Sequence, residues 1–271
     1  MSLKGDSLRV SEQVTILAPC INEDFIVTNS SPVNVFAHAS PRLDFKRIDG
    51  TRHLHSSYRL RYQVYCRERG FLSPMQFPNG EEADHFDPHS IHFGALTPTG
   101  ETVGTLRLVL HSNHGFPLSR FCQVWPEESD QLRSPRVAEI SRLAFSKTVR
   151  RQVADRSGSK GSGQVSRMER MRIRQSEMVM GLYGAMYQES KRQGITHWLA
   201  AMEESLVRLL RRHNFWFTPI GPQIDYYGPV TPYMASIAEI EEAVYHHCPS
   251  MFWALMEGLD MDHRPVQARA A

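Results

Sequence analysis

Five charged residues, spread over four segments of the sequence, have the types and spacing of a buried or cleft-lining network. Asp84 and Asp87 stand three residues apart in a loop, and three arginines come from separate elements, Arg61, Arg107 and Arg142. Burying such charges is costly unless they are fully paired, so the network indicates a functional role. One of its arginines could hold a carboxylate through two parallel hydrogen bonds. The structural alternative is that the network pins the loop onto a sheet.

Histidine and cysteine give weaker chemical signals. His85, His89 and His92 follow one another at a spacing that could be written as a metal site. Loop histidines at such spacing are more often solvated or turn-forming, so we predict no metal. Cys66 has no histidine partner visible in the sequence, which disfavours a catalytic thiol. The four cysteines form no CxxC pair, as expected for reduced thiols in a cytoplasm.

Length and composition predict one domain with attached arms. The chain has 271 residues, of which 41% are hydrophobic, and a net charge of +2. That charge does not indicate a nucleic-acid binder. No apolar run approaches the ~20 residues needed to span a bilayer, and the first residues lack the apolar core of a secretory signal. We therefore expect a cytoplasmic enzyme.

Hydrophobic periodicity predicts the elements that must position these residues. In order they are a strand, a helix capped by Ser56 or Ser57 and ended by Gly70, a hairpin, a strand, a helix, a strand, a helix and further strands. One closing helix is predicted over 238–259. The predicted fold is α/β (α+β): one central mixed twisted sheet with helices on both faces. We assign 1–40 to an N-terminal arm, 41–260 to the domain with a basic loop at 147–167, and 261–271 to a tail.

The helix predicted from Met168 to Gln193 is rich in methionine. Its thioethers could line a tunnel for a long acyl chain, or they could simply fill the core. The residues to which this applies are Met168, Met171, Met178, Leu182, Tyr183, Met186 and Tyr187.

Four motifs together resemble a known family. LRYQVYCRERGF, EADHFD, GTLRLV and EISRLAF occur in the order and at the spacings of acyl-homoserine-lactone autoinducer synthases. They resemble even more closely the N-acyl amino acid synthases and the acyltransferases associated with exosortase/PEP-CTERM systems. The resemblance covers roughly residues 42–220. It implies an acetyltransferase (GNAT) fold, an acyl donor that is usually the phosphopantetheine thioester of acyl carrier protein, and an amine acceptor.

The resemblance also implies site residues. Glu139 and Arg142 correspond to the family's Glu-x-x-Arg on the central strand, and its substrate-binding positions correspond to Arg61, Tyr65, Phe71, Asp84, Asp87 and Arg107. Phe71 stands where the family has tryptophan, and the chain is longer than an autoinducer synthase; both disfavour a lactone product. The GNAT pyrophosphate loop is absent after the central strand. This favours a carrier protein over coenzyme A as donor, with acyl-CoA left open and no tightly bound cofactor expected.

Amide formation from a thioester requires the amine to lose a proton. Glu139 is the candidate base, on the hypothesis that its carboxylate takes that proton. Alternatively, Glu139 could bind the substrate ammonium or form a structural ion pair with Arg142 or Arg107.

The stretch from residue 147 to 174 holds nine Lys/Arg against two Asp/Glu. Because acyl carrier protein is acidic, this stretch could be its docking surface. The alternatives are a solvated loop or, less favoured, a nucleic-acid contact. The candidate docking residues are Arg150, Arg151, Arg167, Arg170 and Arg174.

The leading hypothesis is an N-acyltransferase that moves a long-chain acyl group from acyl carrier protein to an amino acid. Its lipid-like product could bring the enzyme into peripheral contact with a membrane. The alternatives are an autoinducer synthase that uses S-adenosylmethionine and a non-catalytic protein that binds lipid or carrier protein.

Overall fold

The computed structural model describes residues 43–147 and 167–269, and from 167 to 174 it describes the backbone only. The predicted arm over 1–40 and almost all of the predicted basic loop lie outside these ranges. No helix in the described part of the chain combines the length and apolar character needed to cross a membrane.

A mixed sheet forms the centre of the fold. Its strands are β1 (Asp44–Arg47), β2 (Ser90–Leu96), β3 (Thr102–Leu110), β4 (Val137–Phe145), β5 (His197–Met202), β6 (Thr218–Pro219), β7 (Ile224–Asp225) and β8 (Pro229–Ser236). They are ordered β1-β2-β3-β4-β5-β8-β6, and β7 pairs with β8. In the described chain β4 and β5 are parallel and the other paired strands are antiparallel.

The α-helices are α1 (Arg52–Arg61), α2 (Pro126–Ser129), α3 (Arg167–Arg192), α4 (Glu204–Arg212), α5 (Ile237–His247), α6 (Pro249–Met256) and α7 (Val266–Arg269). A π-helix, Tyr62–Glu68, directly continues α1. Short 3₁₀ turns cover Pro74–Gln76, Asp87–His89, Pro117–Arg120, Gln131–Arg133 and Met261–His263. The predicted order of strands and helices is therefore confirmed by the structure.

Two predicted helix boundaries are wrong. The side chain of Thr51, rather than Ser56 or Ser57, caps α1 by accepting a hydrogen bond from the His53 N–H at 3.2 Å. The predicted closing helix is two helices, which meet at Cys248. Pro249 cannot donate a backbone hydrogen bond and disfavours helical backbone at the preceding residue, so α5 ends and α6 begins there.

The parallel pairing of β4 with β5 is short. It extends from Val137 opposite His197 to Glu139 opposite Leu199. Beyond Glu139, β4 continues to Phe145 and β5 continues to Met202, but the two strands no longer pair with each other. The two strands therefore separate immediately after Glu139.

A β-bulge interrupts β4 just after this point. Thr105 pairs with Ala144 and Arg107 pairs with Ser141, so two residues of β4, Arg142 and Leu143, oppose one residue of β3. Arg142 has φ of 53°, a left-handed conformation that is strained for arginine. Bulges of this kind re-aim side chains and occur next to active sites.

The methionine-rich helix α3 packs over the first strands of the sheet. Met178, Leu182 and Met186 are buried in the main hydrophobic core, as the core-filling alternative requires. A Cβ atom at Gly181 would lie 2.4 Å from the Phe45 ring, so only glycine lets α3 approach β1 this closely. The side chains of Met168 and Met171 lie outside the described residues.

A smaller hydrophobic cluster lies where β4 and β5 separate. It includes Val109, Leu118, Val137 and Leu199. Val109 on β3 and Leu199 on β5 are the strand partners of Glu139. Glu139 is thus a carboxyl group with apolar strand neighbours on both sides.

Candidate functional site

Arg61, the last residue of α1, joins the helix to the loop beneath it. Its Nε donates to Glu82 Oε2 at 2.5 Å, and its Nη1 and Nη2 donate to the two carboxylate oxygens of Asp87 at 2.7 and 3.0 Å. Arg61 and Glu82 are fully buried. The paired hydrogen bonds to Asp87 are the fork geometry that arginine offers to a carboxylate.

The other two arginines reach the same loop from the sheet. Arg107 on β3 donates from Nη1 to Asp84 at 2.7 Å and to Asp87 at 3.0 Å. Arg142 on the bulge of β4 donates from Nη2 to Glu82 and Asp84, both at 2.8 Å. The five residues predicted to form a network do so, and Glu82 completes it. We call these six residues the ion-pair network.

The carboxyls of the network are held ionised. Burial raises their pKa, but the neighbouring arginines outweigh burial and lower the pKa of Glu82, Asp84 and Asp87 below the ordinary values. Three buried arginines therefore face three buried carboxylates. Removing one partner from such a set leaves an uncompensated buried charge.

His92 extends this network away from the sheet. Its Nδ1 lies 2.7 Å from Asp49 Oδ1, and its Nε2 lies 2.9 Å from Asp87 Oδ1. His92 therefore has a different role from His85 and His89, although the sequence spacing grouped the three histidines. Within the described ranges no group of three or more His, Cys, Asp or Glu could hold a metal.

Glu139 stands apart from the ion-pair network. Its Oε2 accepts a hydrogen bond from the Leu118 N–H at 2.8 Å, and its Oε1 is buried without a hydrogen-bond partner among the described residues. Burial raises the pKa of this carboxyl to about 8, although the Leu118 hydrogen bond and the charges of Arg107 and Arg142 oppose the shift. The structural alternative, an ion pair of Glu139 with Arg142 or Arg107, does not form among the described residues. Arg142 binds Glu82 and Asp84, and Arg107 binds Asp84 and Asp87.

Arg142 also has a buried nitrogen atom without a partner among the described residues. Its Nη1 has no hydrogen-bond partner in the part of the chain that the structure describes. Leaving a buried donor or acceptor unpaired costs about 1–3 kcal/mol, more for charged groups. One carboxyl oxygen of Glu139 and one cationic donor of Arg142, three residues apart on β4, thus have no hydrogen-bond partner in the described chain.

The two aromatic residues predicted at the site lie on the π-helix and just after it. The Tyr65 hydroxyl donates to the Leu143 carbonyl at 3.0 Å, and its ring centroid lies 5.7 Å from Arg142 Cζ. The Phe71 N–H donates to the Tyr65 carbonyl at 2.8 Å. The Phe71 ring packs against Tyr227, with the centroids 5.2 Å apart. Tyr65 thus supports Arg142, whereas Phe71 lies further out.

Of the five predicted docking arginines, the structure describes the backbone of three. Arg150 and Arg151 lie outside the described residues. Arg167, Arg170 and Arg174 belong to the first turns of α3, and their side chains lie outside the description. Their role stays a prediction.

Buried thiols do not compete for a catalytic role. Burial raises the pKa of Cys66 to about 11, and Glu82 adds to the shift. Burial likewise raises the pKa of Cys122 to about 12, with Glu139 adding to it. Both thiols are therefore protonated at neutral pH and are poor nucleophiles.

Sequence reasoning missed three residues of the site. Glu82 opens the EADHFD motif, two residues before Asp84, so its place in the motif was a usable signal. Asp49 binds His92 across 43 residues of sequence, and Leu118 serves Glu139 through its backbone N–H. Neither of these two contacts depends on a local pattern that a sequence displays.

Comparison with known proteins finds a family similarity in the central segment. Residues 56–156 match the family of N-acyl amino acid synthase FeeM, a family of N-acyltransferases. This segment contains all six residues of the ion-pair network, together with Tyr65, Phe71 and Glu139. The resemblance to N-acyl amino acid synthases is thereby confirmed. No curated protein matches the sequence.

Solved structures agree on the fold. The AHL synthase LasI is 17% identical, with a TM-score of 0.52 over 76% of this chain and 95% of that one. BjaI, a CoA-dependent acyl-homoserine lactone synthase solved with SAM and isopentyl-CoA, is 18% identical, with a TM-score of 0.53 over 80% and 89%. FeeM, an N-acyl amino acid synthase from uncultured soil microbes, is 14% identical, with a TM-score of 0.50 over 75% and 96%. At these identities the likeness establishes the fold, and the predicted GNAT-like fold is confirmed.

Proposed function

From the family match over residues 56–156, we propose that this chain joins a long-chain fatty acyl group to the amine of an amino acid, with acyl carrier protein as donor. The observation that carries this proposal is Glu139, a buried carboxyl with a raised pKa and one unpartnered oxygen. It lies where β4 and β5 separate.

Glu139 is the proposed base. An amino acid's amine is mostly protonated at neutral pH, and it attacks a thioester only after losing a proton. A carboxyl whose pKa is about 8 exchanges protons with such an amine at little energetic cost, whereas an ordinary carboxyl is too weak a base. The Leu118 N–H would hold Oε2 in place while Oε1 faces the amine.

Arg142 is the proposed anchor of the acceptor. Its Nη1 would donate to the acceptor's carboxylate, and its Nε and Nη2 stay on Glu82 and Asp84. The remaining ion-pair network, through Arg61, Asp87 and Arg107, then acts by positioning that guanidinium. Tyr65 supports the same group from the π-helix.

The opening between β4 and β5 is the proposed place for the donor. The two strands stop pairing with each other after Glu139 and Leu199, so the edges that face this gap could offer backbone donors and acceptors. An extended phosphopantetheine arm with its amide groups could pair with such edges and bring its thioester to Glu139. Arg150, Arg151, Arg167, Arg170 and Arg174 would receive the carrier protein.

The proposal is tested by product analysis. The purified chain is offered acyl carrier proteins of several acyl lengths with a mixture of amino acids, and products are identified by mass spectrometry. We expect an N-acyl amino acid. If every donor and acceptor pairing gives none, the proposal is wrong.

Parallel reactions with acyl-CoA and with S-adenosylmethionine separate the remaining alternatives. A carrier-dependent enzyme is faster with acyl carrier protein, and an autoinducer synthase would release methylthioadenosine. A cytoplasmic location, membrane contact through the product and an association with PEP-CTERM/exosortase systems stay predictions.

A further inference from the structure

Four aromatic rings form a continuous row beside the site. In order they belong to Phe71, Tyr227, Tyr226 and Phe121, and successive ring centroids lie 5.2, 5.1 and 4.6 Å apart. Tyr227 is 42% exposed, and the other three side chains are half-buried. We call these residues the aromatic row. Tyr226 and Tyr227 lie outside the segment that matches the family.

The two ends of the row are attached to segments that contact Arg142 and Glu139. At one end, the Phe71 N–H is bonded to the carbonyl of Tyr65, whose ring lies against Arg142. At the other end, Phe121 follows the turn in which the Leu118 N–H binds Glu139. The row therefore runs from the π-helix segment, whose Tyr65 contacts Arg142, to the turn whose Leu118 N–H binds Glu139.

The backbone at Tyr227 is unusual for a residue with a large side chain. Tyr227 has φ of 56° and Gly228 has φ of 120°, in the turn between β7 and β8. Asp225 Oδ1 accepts a hydrogen bond from the Gly228 N–H at 3.2 Å and helps to close this turn. Glycine adopts such a φ freely, whereas tyrosine does so under strain. The turn thus holds an exposed ring against Phe71 at a position where glycine would fit the backbone better.

We propose that the aromatic row is the side-chain subsite for the acceptor, and that Tyr227 is its specificity-determining residue. This inference rests on the proposed function. Arg142 Nη1 would take the acceptor's carboxylate and Glu139 Oε1 its amine, which leaves the side chain to meet the rings. Rings favour an apolar side chain over an acidic one, because a carboxylate would lose water without gaining a partner. The substrate class is therefore amino acids with apolar side chains.

The competing explanation is that the row merely fastens the β7–β8 turn to the domain. The two explanations differ in what loss of a ring changes. A fastening role predicts a change in stability with acceptor selectivity preserved. A subsite predicts a change in selectivity even where the fold is intact.

Tyr227→Gly is the informative variant, because it removes the ring and relieves the backbone strain. We would measure binding of L-leucine, L-phenylalanine and L-aspartate by calorimetry, and kcat and KM for each as acceptor. The wild type should favour the two apolar amino acids by about tenfold or more. Tyr227→Gly should lose most of this preference through the acceptor KM, with the donor KM unchanged, whereas Tyr227→Phe should keep it. Phe121→Leu should reproduce the loss from the other end of the row.

Trp216→Ala is the matched control, since Trp216 is a 53% exposed aromatic residue that lies under Arg211 outside the row. Product formation with wild-type selectivity in both Tyr227→Gly and Phe121→Leu would overturn the subsite, as would an equal loss in Trp216→Ala. Ring-dependent binding of apolar amino acids without any N-acyl product would instead support the subsite and reject the proposed reaction.

Discussion

Glu139 differs from Glu82, Asp84 and Asp87 in what its carboxylate contacts. Within the described chain it receives one hydrogen bond, from a backbone N–H, whereas the other three each contact two arginines. Burial therefore raises the pKa of Glu139 to about 8, whereas the arginines outweigh burial and lower the pKa values of the other three. Two kinds of carboxyl thus lie in one site, one suited to proton transfer and the other to holding arginines.

Replacing Glu139 by glutamine tests its role as base. Glu139→Gln should lower kcat by about 10²- to 10⁴-fold, the range ascribed to a positioned general base, with donor binding little changed. Rapid-mixing turnover and donor titration measure the two effects. Unchanged turnover would mean that Glu139 is not the base.

The pH dependence of activity should follow the same carboxyl. Because the base must be ionised, kcat/KM should rise with pH, with a midpoint near the pKa of about 8 and a plateau above it. The Glu139→Gln variant should lack this step and follow only the ionisation of the acceptor's own amine. A step that persists in the variant belongs to another group.

Folding stability should depend on Glu139 in the opposite direction. Its folded pKa is raised from 4.5 to about 8, so its favourable contribution is complete below 4.5 and is lost as pH rises towards 8. Each pKa unit corresponds to about 1.4 kcal/mol. Glu139→Gln should therefore gain stability relative to the wild type as the pH rises from about 5 to about 8. Denaturant titrations at several pH values measure this gain, and a constant difference would contradict it.

At the scale of elements, the β-bulge of β4 decides which charges meet. Without the extra residue, the regular alternation of side chains would place Arg142 on the face of the sheet opposite to Glu139 and Ser141. With φ of 53°, Arg142 instead reaches Glu82 and Asp84 in the loop. The bulge therefore turns Arg142 towards the loop that Arg107 also contacts, on the side of the sheet where Arg107 bonds to Ser141.

The loop that carries Glu82 allows a matched test of the ion-pair network. Glu82→Gln leaves Arg61 and Arg142 partly unpaired in a buried site, so we expect a loss of about 3–5 kcal/mol in the free energy of unfolding. Glu81→Gln, which removes pairs with the exposed Arg59 and His55, should cost about 0–1 kcal/mol. Urea titrations at neutral pH compare the two, and equal losses would show that the network adds no special stability.

The Glu82 effect should also have its own pH window. The pKa of Glu82 is lowered in the folded protein, so its stabilising contribution is present above the ordinary carboxyl pKa and is lost as pH falls through the folded value. The difference between wild type and Glu82→Gln should accordingly shrink in acid. The Glu139 effect lies at higher pH, so the two can be measured separately.

At the scale of the whole molecule, the predicted docking stretch would bring a macromolecular donor to the proposed site. Reversing both charges, Arg150→Glu with Arg151→Glu, should weaken binding of acyl carrier protein, and the loss should diminish as salt increases. The control reverses two exposed arginines elsewhere, Arg52 and Arg133. Titration calorimetry at low and high salt is the measurement, and an affinity that matches the control would assign the stretch to solvent.

The sequence by itself determined the order of strands and helices, through hydrophobic periodicity, and the resemblance to N-acyl amino acid synthases that the family match then confirmed. It also determined that the charges of Arg61, Asp84, Asp87, Arg107 and Arg142 belong together, because unpaired buried charge is too costly. Only the tertiary structure decided the partners. Glu139 binds the Leu118 N–H across 21 residues, and Arg142 binds Glu82 across 60. Such contacts depend on strand register, the bulge and the separation of β4 from β5, which arise from packing between distant segments and leave no local pattern in the sequence.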